Sequence, residues 1–275
     1  MTDDHGAWAT GAYGCGSMHT PNIDRLAATG MRFTRAFACT PVCSPSRMTY
    51  MTGALPTDHH VQDWLIPEDS YGPASHRWLD GFRTYPEVLA QAGYTMGMCG
   101  KWHMGEDDKA QVGFTYWATV PGGGGTYRDP KFVHDGKESK IPGFKTDIQT
   151  DFALDFLDRH HKEPFYLLMP FYAPHTPYDL QPERDRKWYN DSNFPCYPNT
   201  PQHPWQNKGL AKLYGSREAK HSYSALISGV DYSMGRVLER LEKLGVRDDT
   251  LIVFTADQGW NAGHHGVWGK GNGTV

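Results

Sequence analysis

Several short stretches of this chain place reactive side chains beside turn-forming residues. Cys43-Ser44-Pro45-Ser46-Arg47 sets a thiol and a guanidinium four residues apart around a proline. Read alone, it is compatible with a surface turn, since Ser and Pro favour turns. Cys43 is also compatible with a disulfide to Cys39, or with a buried thiol that acts as a small hydrophobe. Asp3-Asp4 and Asp257-Gln258 offer only oxygen ligands, a set that suits a hard cation, calcium first and magnesium second. Read alone, the first pair is a solvated acidic terminus and the second a strand-end turn before Gly259. Lys101, Lys270, His103 and His175 add cations and imidazoles, and an imidazole exchanges protons near neutral pH. A lone lysine of this kind is usually a solubilising surface residue.

Taken in order, the stretches form a set. Thr2-Asp3-Asp4-His5-Gly6 comes first, then the cysteine pentapeptide, then Gly100-Lys101-Trp102-His103-Met104-Gly105. Ala173-Pro174-His175-Thr176-Pro177 and Thr255-Ala256-Asp257-Gln258-Gly259 follow, with Lys270 beyond. This set resembles the motifs of the sulfatase family, and the resemblance runs from Asp3 to Lys270. It implies a type I, formylglycine-dependent sulfatase of the alkaline-phosphatase-like superfamily. On that resemblance, a formylglycine-generating maturation enzyme reads the C-x-P-x-R pentapeptide and oxidises Cys43 to Cα-formylglycine. Asp3, Asp4, residue 43, Asp257 and Gln258 are then the metal ligands, for Ca2+ with Mg2+ as second choice. The family often has Asn or His at the position of Gln258, but Gln still supplies a carbonyl oxygen.

The resemblance also implies a mechanism. The hydrated aldehyde is a geminal diol, and the metal lowers the pKa of one hydroxyl. That oxygen attacks the sulfur of a sulfate ester and an alcohol leaves. Loss of a proton from the second hydroxyl re-forms the aldehyde and expels sulfate. His103 is the implied base for that elimination. His175, shared with Lys270, is the implied acid for the leaving oxygen. Lys101 and Lys270 bind the sulfate oxygens and stabilise developing charge, Arg47 anchors the nucleophile loop, and Trp102 is packing. A phosphonate or phosphate ester hydrolase of the same superfamily is the nearest alternative, and a non-catalytic sulfated-glycan binder is another. A cysteine hydrolase fits poorly, because a proline lies two residues after Cys43 and oxygen ligands are paired elsewhere.

The elements that must position these residues alternate. Thr20 and Pro21 read as the N-cap and first position of a helix that Gly30 stops. The alternation over Met31 to Ala38 predicts a strand leading towards Cys43. Pro86 to Gln91 predicts a helix, Tyr94 to Cys99 a strand that delivers Lys101 and His103, and Thr146 to His160 an amphipathic helix. Phe165 to Phe171 reads as a strand that delivers His175. Ala219 to Leu244 reads as the longest helix, and Leu251 to Ala256 as a buried strand that delivers Asp257. This order predicts an α/β fold, with a mostly parallel central sheet and helices on both faces. Ligands bind such sheets outside the carboxyl ends of the strands. Val120 to Lys140, with its run Gly122-Gly123-Gly124-Gly125, reads as a flexible loop, and Tyr178 to Gly215 as a long Trp/Tyr/Pro-rich loop.

Composition bounds the rest. The 275 residues, 39% hydrophobic and 21% charged, suit a globular α/β unit, read as one sulfatase catalytic domain over 1–275. A net charge of −4 gives no electrostatic case for nucleic acid. No stretch is apolar for long enough to cross a membrane, and no signal peptide is visible. Only Met1 and Thr2 precede Asp3, and the chain stops five residues after Lys270. Truncation at both ends is therefore expected, with a first strand and a C-terminal subdomain missing. The resemblance further implies export of the full-length protein. Five cysteines are too few for a disulfide scaffold, and nothing in the sequence pairs Cys15, Cys39, Cys99 and Cys196. The aromatic share of 13% suits sugar stacking, so a sulfated glycan is the expected substrate, ahead of a sulfated small molecule. His265, near Lys270, is a further candidate for substrate contact.

Overall fold

The computed structural model describes residues 1–178 and 181–271. Residues 272–275, where the chain stops, and residues 179–180 of the long loop lie outside the described residues. The helices are α1 (Pro21–Thr29), α2 (Cys43–Thr52), α3 (Pro56–His59), α4 (Pro67–Ser70), α5 (Tyr85–Gln91), α6 (Lys145–His160), α7 (Glu183–Arg186) and α8 (Arg217–Lys243). The strands are β1 (Thr95–Gly100), β2 (Tyr116–Thr119), β3 (Lys131–His134), β4 (Lys137–Lys140) and β5 (Phe165–Leu168).

The sheet order is β4-β3-β2-β1-β5. Strand β1 pairs in parallel with β2 and β5, while β3 and β4 add an antiparallel edge. Side chains of β1 alternate between the two faces, as the pleat requires. Met96 and Met98 pack with Met48 and Met51 of α2 and Leu89 of α5. Cys99 packs with Phe156 and Leu157 of α6 and Val237 and Leu241 of α8. Helices therefore cover both faces, as the alternating pattern predicts.

Beyond β5 the parallel order continues in single bridges. The Phe171 N–H donates to the Met1 carbonyl at 2.8 Å, and the Asp3 N–H donates to Ala173 at 3.2 Å. Thr2 in turn pairs in parallel with Ala256. Residues 1–3 thus lie between the segments that carry His175 and Asp257. Three blocks far apart in sequence arrive side by side beyond the edge of the sheet at β5.

Four readings change. Residues 31–38 form no strand and are exposed, Phe37 at 88%. Their alternating apolar residues find no partner strand among the described residues. The stretch 251–256 makes only the bridge at Ala256, and Leu251 and Val253 are exposed. The flexible loop expected over 120–140 contains the hairpin β3–β4, because Phe132 and Val133 bury against the sheet. Thr20 makes no side-chain cap. Asp231 of α8 does so instead, with Oδ1 accepting from the N–H groups of Asn22 at 2.9 Å and Ile23 at 2.8 Å.

Cys15 and Cys196 form a disulfide across 181 residues, fastening the long loop to the N-terminal segment. Cys39 does not pair with Cys43 and is exposed; Cys43 and Cys99 are buried. Replacing Cys196 with Ser is expected to cost about 2–4 kcal/mol of stability. A urea midpoint unchanged by that substitution would contradict a bridge that bears on folding.

Candidate active site

The pentapeptide is the start of a helix. Cys43 opens α2, Pro45 sits in its first turn, where its missing N–H costs nothing, and Arg47 follows one turn after Cys43. Residues four apart share a helix face, so the spacing points Cys43 and Arg47 the same way. Gly53 ends the helix in a left-handed conformation with φ +71°. The helix N-terminus also favours negative charge near residue 43.

Cys43 faces the aspartates. Its thiol donates to Asp3 Oδ1 at 3.3 Å, and Lys270 Nζ donates to its Sγ at 2.8 Å. Lys101 Nζ lies 2.5 Å from Asp3 Oδ2, and Lys270 pairs with Asp4 Oδ1. Arg47 donates to Asp257 Oδ2 from Nε at 3.1 Å and Nη2 at 2.9 Å, and from Nη1 to the Lys101 carbonyl at 2.5 Å. Gln258 Nε2 donates to Asp4 Oδ1 at 2.5 Å and to Asp3 Oδ1 at 3.3 Å. Tyr223 of α8 donates its hydroxyl to the Asp4 carbonyl at 2.8 Å and accepts from Gly6. All ten sequence-derived site residues except His175 and Lys270 are deeply buried, and those two are partly so.

Three buried carboxylates face three cationic side chains, and the titration of each acid follows its neighbours. Burial opposes ionisation of Asp3, but Lys101, Lys270, His175 and Arg47 together hold its pKa well below the carboxylate range. Burial raises the pKa of Asp4, and burial and the nearby Asp3 raise that of Asp257 well above its ordinary value. Burial and Asp3 also oppose ionisation of Cys43, yet Lys101, Lys270 and His103 hold the thiol well below its usual pKa.

The donor set fits a divalent cation. Ligand atoms of Asp3, Asp4, Cys43 and His175 all lie within 4.8 Å of one another. Asp4 Oδ2 and Gln258 Oε1 are buried and have no hydrogen-bond partner among the described residues. Turning the Gln258 amide over would aim its carbonyl oxygen at the carboxylates, giving up the Nε2 donations to Asp3 and Asp4 in exchange for a ligand to the cation. A hard cation would satisfy both orphaned oxygens and relieve the repulsion among the acids.

The two histidines differ. His103 Nε2 lies 2.9 Å from the Leu65 carbonyl, which can only accept, so Nε2 carries the proton. Nδ1 is then a buried lone pair, and the ring stands beside the Cys43 thiol. Burial and Lys101 lower its pKa to about 4, so the ring is neutral at pH 7. His175 Nε2 lies 3.6 Å from Asp4 Oδ2. Burial would lower its pKa, but Asp4 and Asp3 raise it, which favours a protonated ring.

Other candidates stand apart. Trp102 is fully buried against Phe114 and Trp117, as its reading as packing requires. His265 is exposed and makes no hydrogen bond to a site residue among the described residues. Sequence reading missed Asp107, whose buried carboxylate binds the His103 N–H at 3.1 Å, and Tyr127, whose hydroxyl donates to the His175 carbonyl at 2.8 Å. Only a spacing of four from His103 marked Asp107, and nothing marked Tyr127.

The Sulfatase family model matches residues 1–274. The chain belongs to the sulfatase family. It is 29% identical to an N-acetylglucosamine-6-O-sulfatase of Bacteroides thetaiotaomicron, over 98% of this chain and 59% of that protein. It is 30% identical to the N-acetylgalactosamine-6-sulfatase of Homo sapiens, over 94% of this chain and 49% of that one. The chain thus spans about half to three-fifths of the length of these relatives. A solved structure in complex with its substrate, D-glucosamine-2-N,6-O-disulfate, superposes with a TM-score of 0.79 at 28% identity, covering 98% of this chain and 66% of that one. A phosphonate monoester hydrolase of Agrobacterium radiobacter shares the fold, with a TM-score of 0.67 at 19% identity, covering 100% of this chain and 64% of that one.

Proposed function

We propose that this sulfatase-family chain carries the catalytic site of an enzyme that hydrolyses a sulfate ester of a carbohydrate. Its nucleophile is formylglycine made from Cys43, beside a divalent cation, Ca2+ before Mg2+. The carrying observation is the convergence of Cys43, Asp3, Asp4, Asp257, Gln258, Lys101 and Lys270 in one buried cluster. With Arg47, which pairs with Asp257, three cationic side chains meet three carboxylates, so an added divalent cation would leave the site net positive, the sign an anionic sulfate ester requires.

The aldehyde, once formed and hydrated, would supply a hydroxyl nucleophile, and a cation held by Asp3, Asp4, Asp257 and Gln258 would lower the pKa of that hydroxyl. The rest falls to residues of the chain. Lys101 and Lys270 meet the charge that develops on the sulfate oxygens. His103 accepts a proton at Nδ1, while the Leu65 carbonyl holds its Nε2 proton. His175 donates a proton from Nε2 to the leaving oxygen. Arg47 holds Asp257 and the first turn of α2 in register.

A carbohydrate substrate is supported by the relatives and by the long loop. Trp205 is 79% exposed, and its neighbour Gln206 is bonded twice to the backbone of Trp268, two residues before Lys270. An exposed indole on a loop tied to the Lys270 segment suits stacking on a sugar ring. Cleavage of aryl or choline sulfates with no turnover of any sulfated saccharide would sink this substrate class. Turnover of a phosphodiester above that of the matched aryl sulfate would favour the phosphonate-hydrolase reading.

Chelation tests the cation. Treatment with EDTA is expected to lower turnover at least a hundredfold and to lower the melting temperature. Ca2+ is expected to restore both, since a ligand at a hundred times its Kd stabilises by about 2.7 kcal/mol. A melting temperature that ignores Ca2+, with turnover unaffected by EDTA, would contradict a bound cation.

A further inference from the structure

We infer that the run Gly122–Gly125, with Asp107, is a positioning clamp for the two proton-transfer histidines. The inference rests on the sulfatase reading for its kinetic consequence. The clamp begins at His103, whose φ of +61° is a conformation that non-glycine residues rarely adopt. Such backbone persists only where surrounding structure over-determines it. Asp107 supplies that constraint. Its Oδ1 accepts from the His103 N–H at 3.1 Å, and its Oδ2 accepts from the Gly123 N–H at 3.2 Å. Asp107 is itself fixed, because its carbonyl accepts from Trp117 Nε1 at 2.9 Å and Thr119 Oγ1 at 2.5 Å, and its N–H donates to Ser70 at 2.9 Å.

Gly123 then lies flat against the imidazole. A Cβ added there would stand 2.3 Å from His103 Cδ2 and 2.6 Å from Nε2. No side chain fits without displacing the ring, and Nε2 is the atom that bonds the Leu65 carbonyl. The same run reaches the second histidine. The Gly124 and Gly125 carbonyls each accept from Lys145 Nζ at 3.0 Å, and that ammonium lies 3.9 Å from the centre of the Tyr172 ring. Tyr172 packs on His175, with ring centres 5.0 Å apart. One glycine segment therefore braces the base directly and the acid through Lys145 and Tyr172. The composition that suggests a loose loop is what lets the backbone approach both.

The test pairs Gly123→Ala with Gly136→Ala. Gly136, in the β3–β4 turn, has φ +71° against +66° for Gly123, but a Cβ there meets nothing within 4 Å. The two substitutions impose similar backbone strain, and only one touches an imidazole. A displacement of about 1 Å can cost a hundredfold in rate. Gly123→Ala is expected to lower kcat ten- to a hundredfold below Gly136→Ala. KM should stay within threefold, with Cys43 conversion and Ca2+ content unchanged. Equal kcat values in the two variants would overturn the clamp. Should Gly123→Ala fail to fold, Asp107→Asn is read instead, with a kcat loss of about tenfold expected at unchanged KM and an unchanged kcat overturning it. Imidazole nitrogen resonances give a readout independent of turnover. The His103 signals should shift in Gly123→Ala and not in Gly136→Ala, and unshifted signals in both would overturn the clamp. Wild-type protein that cleaves no sulfate ester would contradict the proposed function, and these resonances would still decide the clamp.

Discussion

Replacing Cys43 with serine is expected to abolish steady-state sulfate-ester turnover, a loss of about four orders of magnitude or more, as for other covalent nucleophiles. The side chain is nearly isosteric and its hydroxyl can still accept from Lys270, so the fold should survive. The loss is chemical. A serine attacked once onto sulfate has no second hydroxyl with which to expel it, so at most a single turnover should be seen. A stopped-flow assay of an aryl sulfate separates a single-turnover burst from no reaction. Steady-state turnover by Cys43→Ser within tenfold of the parent would refute the aldehyde mechanism and favour a simple hydroxyl or metal-water route. Tight binding of a sulfated saccharide by the parent with no turnover at all would favour the non-catalytic binder.

The second large effect is on stability. Arg47 is 2% exposed and is the donor to both Asp257 Oδ2 contacts, with Asp3 Oδ2 a further 3.6 Å from Nη2. Truncation in Arg47→Ala leaves buried carboxylates uncompensated, which costs roughly 3–5 kcal/mol. At about 2–4 °C per kcal/mol for a chain of this size, that corresponds to a melting temperature lower by roughly 6–20 °C. Saturating Ca2+ should recover part of the loss, because a cation bound as proposed would neutralise the same acids. A melting temperature within about 2 °C of the parent would show that Arg47 is not the counter-charge of this cluster.

The candidate site residues were legible in the sequence because chemistry of this kind confines them to a few residue types at fixed spacing. Cys43 and Arg47 lie one helical turn apart, and Lys101 and His103 leave the end of one strand. The strong elements were legible for similar reasons. The helix expected from Thr146 to His160 forms from Lys145, and Ser216 caps the long helix that was read from Ala219. What failed was set by long-range packing. The alternating residues of 31–38 carry a strand pattern, but a strand needs a neighbour, and none is present among the described residues. Composition hid the role of Gly122–Gly125, since a glycine run looks the same whether it is loose or pressed against a ring. The disulfide from Cys15 to Cys196 joins residues 181 apart, beyond any local signal. Asp107 reads as one more loop acid until the fold buries it beneath His103.

The most direct test of the account is a peptide mass spectrum covering Cys43, from protein co-expressed with a formylglycine-generating enzyme. The account predicts a mass loss matching a thiol-bearing side chain replaced by an aldehyde, together with a carbonyl that reacts with hydroxylamine. An unmodified cysteine that alkylates stoichiometrically, with the maturation enzyme shown active on a control peptide, would contradict it.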